Sequence, residues 1–482
     1  MVPRHMKCSA NFFLVCLAFL VLVITLSPYS SAGDLKGLVT ETVLSNGLKV
    51  LLLENHKAPV ITFQVWYRVG SRNEEYGKTG ISHLLEHMMF RGTERVGPGE
   101  LARIIQENGG QHNAFTSADS TTYFQNLKSD RIGVSLELES DRMQNLVLQE
   151  EGFRTERSVV MEERRLRTDD NPKAVAWEQL WAAGFQSQPY HWPVIGWMED
   201  IARLRLEDVK AYYKRFYNPV NAVLVVVGDF DKKTLLEKIE RSFGAIRRGV
   251  LPGQRVSIDE PHNGERRITV KREARLASVV MGFHVPNLRG LSDKGASEIQ
   301  DVQESRDSYA LEVVEALLGW GESSRLQSSL VRGKKLALAV GVSHPLLSKD
   351  PSLFTISADV LPDKSVTDIE RATDEEIERL QREPVSEREL QKAKNQLEAS
   401  FIFQQDSIFS QASQLARYEM VSSWRNIDAY LPSIRAISAE DIQRVVKRYI
   451  TPDNRTTVIL RPVSPSKAAT SPPSASTEEQ VR

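Results

Sequence analysis

Two stretches of this chain, 233 residues apart, follow the same order of residue types. "LEDVKAYYKRFYNPVNAVLVVVG" (Leu206 to Gly228) and "AEDIQRVVKRYITPDNRTTVILR" (Ala439 to Arg461) align without a gap. Each has an acidic residue followed by Asp (Glu207-Asp208, Glu440-Asp441), then Lys-Arg-aromatic (Lys214 to Phe216, Lys447 to Tyr449). Each then has Pro-x-Asn (Pro219 to Asn221, Pro452 to Asn454) before a β-branched run. "APVITFQVWYRVG" (Ala58 to Gly70) has a weaker echo in "ARLASVVMGFHVP" (Ala274 to Pro286), in the same order along the chain. A repeat of this length points to duplication and to two related halves. The length agrees, since 482 residues are more than one ordinary core supports.

Local patterns give the character of each half. "TETVLSNGLKVLLLEN" (Thr40 to Asn55) reads as two strands around an Asn46-Gly47 turn, and Val60 to Gly70 as a further strand. A helix follows between Gly80 and Gly92, and another from Glu100 to Asn108 that stops at Gly109-Gly110. Asn113 to Leu127 returns to strand. Strands and helices mixed in this order predict an α+β fold, a mixed sheet with packed helices in each half. The first half is expected over 33–250 and the second over 268–463. Leu251 to Arg267, rich in Pro, Gly and charge, reads as the linker between them. Asn287 to Ser308 reads as a polar surface loop, and 464–482, which lacks large apolar residues almost entirely, as a disordered tail.

The chain begins with a positive start (Arg4, Lys7), an apolar run from Phe12 to Leu26, and small residues at Ser30-Ser31-Ala32. Residues 1–32 thus read as a secretory signal, which implies a periplasmic or secreted protein, held at a membrane only if the signal is not cleaved. Both cysteines, Cys8 and Cys16, lie inside it. The mature chain has no thiolate, so any metal must be held by His and carboxylate. With 62 basic and 63 acidic residues, nothing suggests an electrostatic grip on nucleic acid.

Against that restriction stands "GISHLLEHMMFRGT" (Gly80 to Thr93), which holds two of only nine histidines. On a helix, His83 and His87 lie on one face, where two imidazoles can aim at one point. They suit zinc, and Glu86 projects beside the same face, placed to take a proton from a water activated at the metal. This is the H-x-x-E-H pattern. Two histidines on an apolar helix can also be plain packing residues. A catalytic zinc needs three protein ligands, and the third must here be His, Asp or Glu. Spacing alone does not choose it, although Glu156 and Glu163 share one face of the charged helix "EEGFRTERSVVMEERRLRTDD" (Glu150 to Asp170).

H-x-x-E-H followed 76 residues later by a glutamate in "ERSVVMEE" resembles the pitrilysin/insulinase family of zinc peptidases, which includes the mitochondrial processing peptidases. The resemblance covers nearly the whole mature chain. It implies that Glu163 is the third zinc ligand and Glu156 a second functional glutamate supporting the site. Glu162 cannot share the role, because one step along a helix turns the side chain by about a hundred degrees. "GGQHNAFTSADSTTYF" resembles the family's edge strand, where an extended peptide pairs by main-chain hydrogen bonds, and Asn113, Ala114 and Phe115 are the matching positions. "YHWPVIGWMEDI" (Tyr190 to Ile201) and "LGWGESSRLQ" (Leu318 to Gln327) resemble family segments with no assigned chemistry.

What the resemblance implies is a zinc endopeptidase with two homologous halves around a chamber, acting on extended or unfolded peptides. One departure qualifies it. Family members often carry an Arg and a Tyr, seven apart, in the second half, where they hold the substrate backbone. Here Val331 and Leu338 occupy those positions, and Arg332 is one place out of register. A homologous partner subunit supplying the pair, or a homodimer, is one consequence. A non-catalytic or weakly active subunit is the other.

Overall fold

The repeat sets the architecture because each copy closes its own helix at both ends. In the first copy, Asp208 Oδ2 accepts the Arg205 amide at 3.1 Å, and Asn221 Nδ2 donates to the Phe216 carbonyl at 2.9 Å. In the second, Asp441 Oδ2 accepts the Ser438 amide at 3.0 Å, and Asn454 Nδ2 donates to the Tyr449 carbonyl at 2.7 Å. The helices between are Leu206–Phe216 and Ala439–Tyr449. Asp satisfies a free amide at the start, and Asn a free carbonyl at the end. The shared residues in the sequence are therefore the shared caps.

The structure, a computed structural model, describes residues 35–253, 259, 263–288 and 298–463. The expected signal and tail, and much of the linker, lie outside these residues. In the first half the strands are β1 (Val39–Val43), β2 (Lys49–Glu54), β3 (Val60–Tyr67), β4 (Gln111–Thr116), β5 (Thr121–Lys128) and β6 (Ala222–Gly228). The second half has β7 (Arg266–Glu273), β8 (Ser278–Val285), β9 (Ala337–Ser343), β10 (Ser352–Val360) and β11 (Arg455–Val463). The sheet orders are β1-β2-β6-β3-β5-β4 and β7-β11-β8-β10-β9. In each, one parallel pair (β2 with β6, β7 with β11) is followed by antiparallel neighbours, so β4 and β9 are equivalent edges. The fold is α+β with two homologous halves, as expected.

Each sheet is covered partly by a helix from the other half. Helix Pro172–Gly184 leaves the first half and packs on β7, β8 and β11, and helix Ile408–Val421 packs on β3 and β6. Every residue of β6 is buried, because Val223, Val225 and Val227 face a core shared with the second half while Leu224 and Val226 face the first half's own. Gly282 on β8 permits one of these crossings, since a Cβ there would stand 3.2 Å from Leu180. The halves also enclose a cavity of about 820 Å³, lined among others by Trp66, Phe115, Trp177, Trp181, Phe409 and Met420.

Three local expectations need revision. Asn113 to Leu127 spans parts of two strands, β4 and β5, joined through residues 117–120, where Ser117 Oγ accepts the amides of Asp119 and Ser120. The linker ends early, because β7 starts at Arg266. The polar loop expected to Ser308 gives way to helix Glu298–Gly319, in which Asp307 and Ser308 are fully buried. Asp307 is buried at the cost of ion pairs with Arg444 and Arg448 and a 2.8 Å hydrogen bond from Tyr449. Polar composition misled there because the partners come from far along the chain. Asn221→Ala should lower stability by about 1–3 kcal/mol, since it leaves the buried Phe216 carbonyl without its donor. Urea unfolding measures this, and an unchanged midpoint would contradict the capping role.

Candidate metal centre

Helix Ile81–Met88 begins at Gly80, whose φ of 85° is open to glycine and strained for other residues. Glycine is needed for a second reason, since a Cβ would stand 2.5 Å from the Ile195 carbonyl and 3.0 Å from Gly196. The segment "YHWPVIGWMEDI", without chemistry in the sequence reading, is thus the buttress of the motif helix. Thr79 Oγ1 accepts the Trp197 amide at 2.9 Å, and Arg164 donates to the Gly196 carbonyl at 2.8 Å. Beneath the helix start lies Glu74, fully buried, whose two oxygens accept the amides of Gly80 (2.8 Å) and Ser82 (2.9 Å).

One turn further on, His83 and His87 share a face, their ring centroids 4.8 Å apart. Helix Glu150–Arg164 packs against this helix and brings Glu163 to them. Glu163 Oε2 lies 3.3 Å from His87 Nε2 and 3.8 Å from His83 Nε2. One ligand atom from each of the three residues lies within 4.8 Å of the others, the one such group among the described residues. Two ligands on a tetrahedral zinc stand about 3.3 Å apart, and separations of 3.3 and 3.8 Å from Glu163 to the two imidazoles are close enough for the three residues to hold such an ion. Glu162 points away, its side chain 57% exposed and paired with Arg165, against 16% for Glu163.

The surroundings tune each group. Burial, with His87 and Arg167 adding to it, pushes His83 down to about 3, so it is a neutral imidazole. Its Nδ1 is buried without a hydrogen-bond partner. For His87, burial works downward, but the Glu156 hydrogen bond and the charges of Glu163, Glu156 and Glu86 outweigh it and hold its pKa above the ordinary value. A metal must therefore compete with a proton at His87. Glu156 Oε2 lies 3.1 Å from His87 Nδ1, and its Oε1 lies 2.6 Å from Arg91 Nε. Burial raises Glu156, yet His87 and Arg91 together keep it below the usual carboxylate range.

Burial also raises Glu86, against a hydrogen bond donated by Thr116 Oγ1 at 2.5 Å. Thr116 ends β4, the edge strand, whose exposure alternates along its length. Ala114 and Thr116 lie on the face toward the motif helix, and Asn113 and Phe115 on the other. The Asn113 side chain accepts the Ala114 amide at 2.9 Å, and Phe115, 38% exposed, meets Trp66 edge to face. The second-half positions are unlike this. Val331 packs against the core, Leu338 is 59% exposed on edge strand β9, and Arg332 turns back to the Glu322 carbonyl.

Comparison with known proteins agrees with this division. Residues 49–196 match the profile described as Insulinase (Peptidase family M16), and residues 203–397 match the Peptidase M16 inactive domain. Over 447 residues the chain is 32% identical to the zinc protease PqqE of Helicobacter pylori, covering 92% of this chain and 97% of that one. The chain belongs to the M16 family. A solved structure of a protease from Helicobacter pylori superposes with a TM-score of 0.80 at 32% identity, covering 88% of this chain and 99% of that one. The periplasmic protease PqqL of Escherichia coli shares the fold at a TM-score of 0.72 and 18% identity, and the match spans 49% of its chain. The 49–196 match contains the H-x-x-E-H helix and Glu163, and the 203–397 match runs from before β6 of the first sheet to beyond β10 of the second.

Four residues of the centre escaped the sequence reading: Glu74, Arg91, Thr116 and Arg167. Arg91 and Arg167 stand four residues after His87 and Glu163, a helical spacing that was legible. Glu74 and Thr116 act across turns and strands and left no signal. Burial drives the Glu74 carboxyl from its ordinary 4.5 up to about 8, against the hydrogen bonds from the Ser82 and Gly80 amides. The folded state then binds this proton more tightly than the unfolded one, so stability falls as pH rises from 4.5 to about 8. Glu74→Gln, which cannot ionise, should show a flatter profile over that window. Urea midpoints of both proteins at pH about 5 and about 8.5 check this, and parallel profiles would contradict it.

Proposed function

We propose that this chain is a zinc-dependent endopeptidase acting on extended or unfolded peptides, with His83, His87 and Glu163 as the metal ligands. The convergence of three ligand atoms within 4.8 Å, with Glu86 held beside them by Thr116, carries this reading. Relatives named as zinc proteases support it. Zinc bound there would supply a Lewis acid that lowers the pKa of water and polarises the peptide carbonyl. Glu86 takes the proton of the attacking water as general base, and burial, which raises its pKa, favours that step and the return of the proton to the leaving amine. Glu156 orients His87 through Nδ1, leaving Nε2 toward the point shared with Glu163.

A substrate adds as a further strand on the open side of β4, with Asn113, Ala114 and Phe115 as its contacts. Main-chain pairing needs a free backbone, which is why folded proteins are poor substrates. The signal-like residues 1–32 support export to the periplasm or beyond, with anchoring only if they are retained. Among the described residues no helix is long and apolar enough to cross a membrane. Since Val331 and Leu338 leave no Arg/Tyr pair to hold the substrate backbone, a homologous partner subunit or a second copy completes the site.

The same two residues favour a second reading, a non-catalytic or weakly active subunit of a heteromeric peptidase. Peptide cleavage by the mature protein and by Glu86→Gln, with bound zinc quantified in both, separates the two. The endopeptidase reading expects about one zinc in each and a loss of about 10²–10⁴-fold in cleavage for the variant. Zinc in both with cleavage in neither points to the vacant Arg/Tyr positions, and cleavage that stays absent when a homologous partner is added supports the subunit reading. A wild-type chain that takes up no zinc would falsify the metal centre.

A further inference from the structure

The two carboxylates beside the histidines are held in the same way. Glu156 gives Oε1 to Arg91 and Oε2 to His87. Glu163 gives Oε1 to Arg167, whose Nη1 lies 2.8 Å away, and turns Oε2 toward His83 and His87. Arg167 belongs to a π-turn, Arg165–Asp169, that continues the helix directly after the glutamate. Its neighbours face elsewhere. Arg164 is buried against Glu178, and Arg165 pairs with Glu162 on the exposed side. Of the three arginines, Arg167 alone meets the centre.

We propose that Arg167 is the positioning residue of the third ligand, fixing Glu163 so that it offers the single oxygen Oε2 to a metal held by His83 and His87. The proposal rests on the reading of Glu163 as a ligand. The terminal torsion of a glutamate is broad, so an unrestrained Glu163 would swing between one-oxygen and two-oxygen approaches. The Arg167 ion pair on Oε1 restricts that freedom. One-oxygen binding leaves a fourth position open, which a catalytic zinc requires and a structural one does not. Arg167 also sets a positive charge against Glu163 and, at longer range, Glu86. Its side chain is 76% exposed, however, and an exposed i,i+4 pair by itself is worth less than about 1 kcal/mol. Metal affinity, more than fold stability, is therefore where its effect should appear.

The test uses the full mature chain, stripped of metal, with zinc affinity measured by chelator competition for wild type, Arg167→Met, Arg167→Lys and Arg165→Met. Arg167→Met should weaken zinc binding about tenfold, the low end for partners behind metal ligands because the guanidinium is exposed. Arg167→Lys should recover part of the loss, since a point charge still reaches Oε1 but without the planar fork. Arg165→Met removes the same charge two residues away and should change affinity by less than about twofold. Thermal melting of the metal-free proteins should be alike in all four. Arg167→Met with affinity within about twofold of wild type would overturn the proposal, as would an equal loss in Arg165→Met, which would reduce the effect to bulk charge. A wild-type chain that binds no zinc ends the reading of the centre and this inference with it, whereas normal zinc binding unaffected by Arg167→Met ends only the latter.

Discussion

The centre depends on where one helix starts. Glu74 is buried beneath Ile81–Met88 with both oxygens on the first amides of that helix, and Gly80 lies against Gly196 at a distance no side chain would allow. A helix placed at its first turn is placed along its whole length, since every residue advances a fixed rise and rotation. His83, Glu86 and His87 therefore inherit their positions from a buried carboxyl group and two glycines that stand apart from the cluster. The loop carrying Gly196 is in turn held by Arg164, at the end of the helix that delivers Glu163. The two helices are thus tied to one another through the Gly196 loop as well as by the contacts of Glu163 with the histidines.

How much of this could be read from the sequence follows from how far apart the partners are. The repeat was legible because Asp208, Asn221, Asp441 and Asn454 cap helices only a few residues away, and local chemistry leaves local signals. His83, Glu86 and His87 were legible for the same reason, whereas Glu163 came from the family resemblance, the helical step saying only that Glu162 could not share its role. Thr116 meets Glu86 from thirty residues along the chain. Glu74 looks like any acidic residue before a turn. Asp307 was misread as part of a surface loop because Arg444 and Arg448, which make its burial tolerable, lie more than a hundred residues further on.

The two halves share a topology and differ in chemistry. Edge strand β4 carries Thr116 to Glu86 and pairs Asn113 with an edge amide, whereas its equivalent β9 offers an exposed Leu338 between small apolar residues. A fold is a scaffold, and the same five-strand arrangement carries the His83, His87 and Glu163 cluster beside one sheet, with no like cluster among the described residues of the other.

The helices exchanged between the halves bear on how such a chain can be assembled. Synthesis runs from the N-terminus, so Val223, Val225 and Val227 face solvent until residues 408–421 have been made. Helix Pro172–Gly184 likewise waits for β11, the last strand in the chain. Neither half is then a folding unit in its own right. A cut between the two halves would leave pieces still held together by these exchanged helices. A gene fragment encoding the first half alone would make a sheet with one bare valine face, prone to aggregation before it could be tested for anything else.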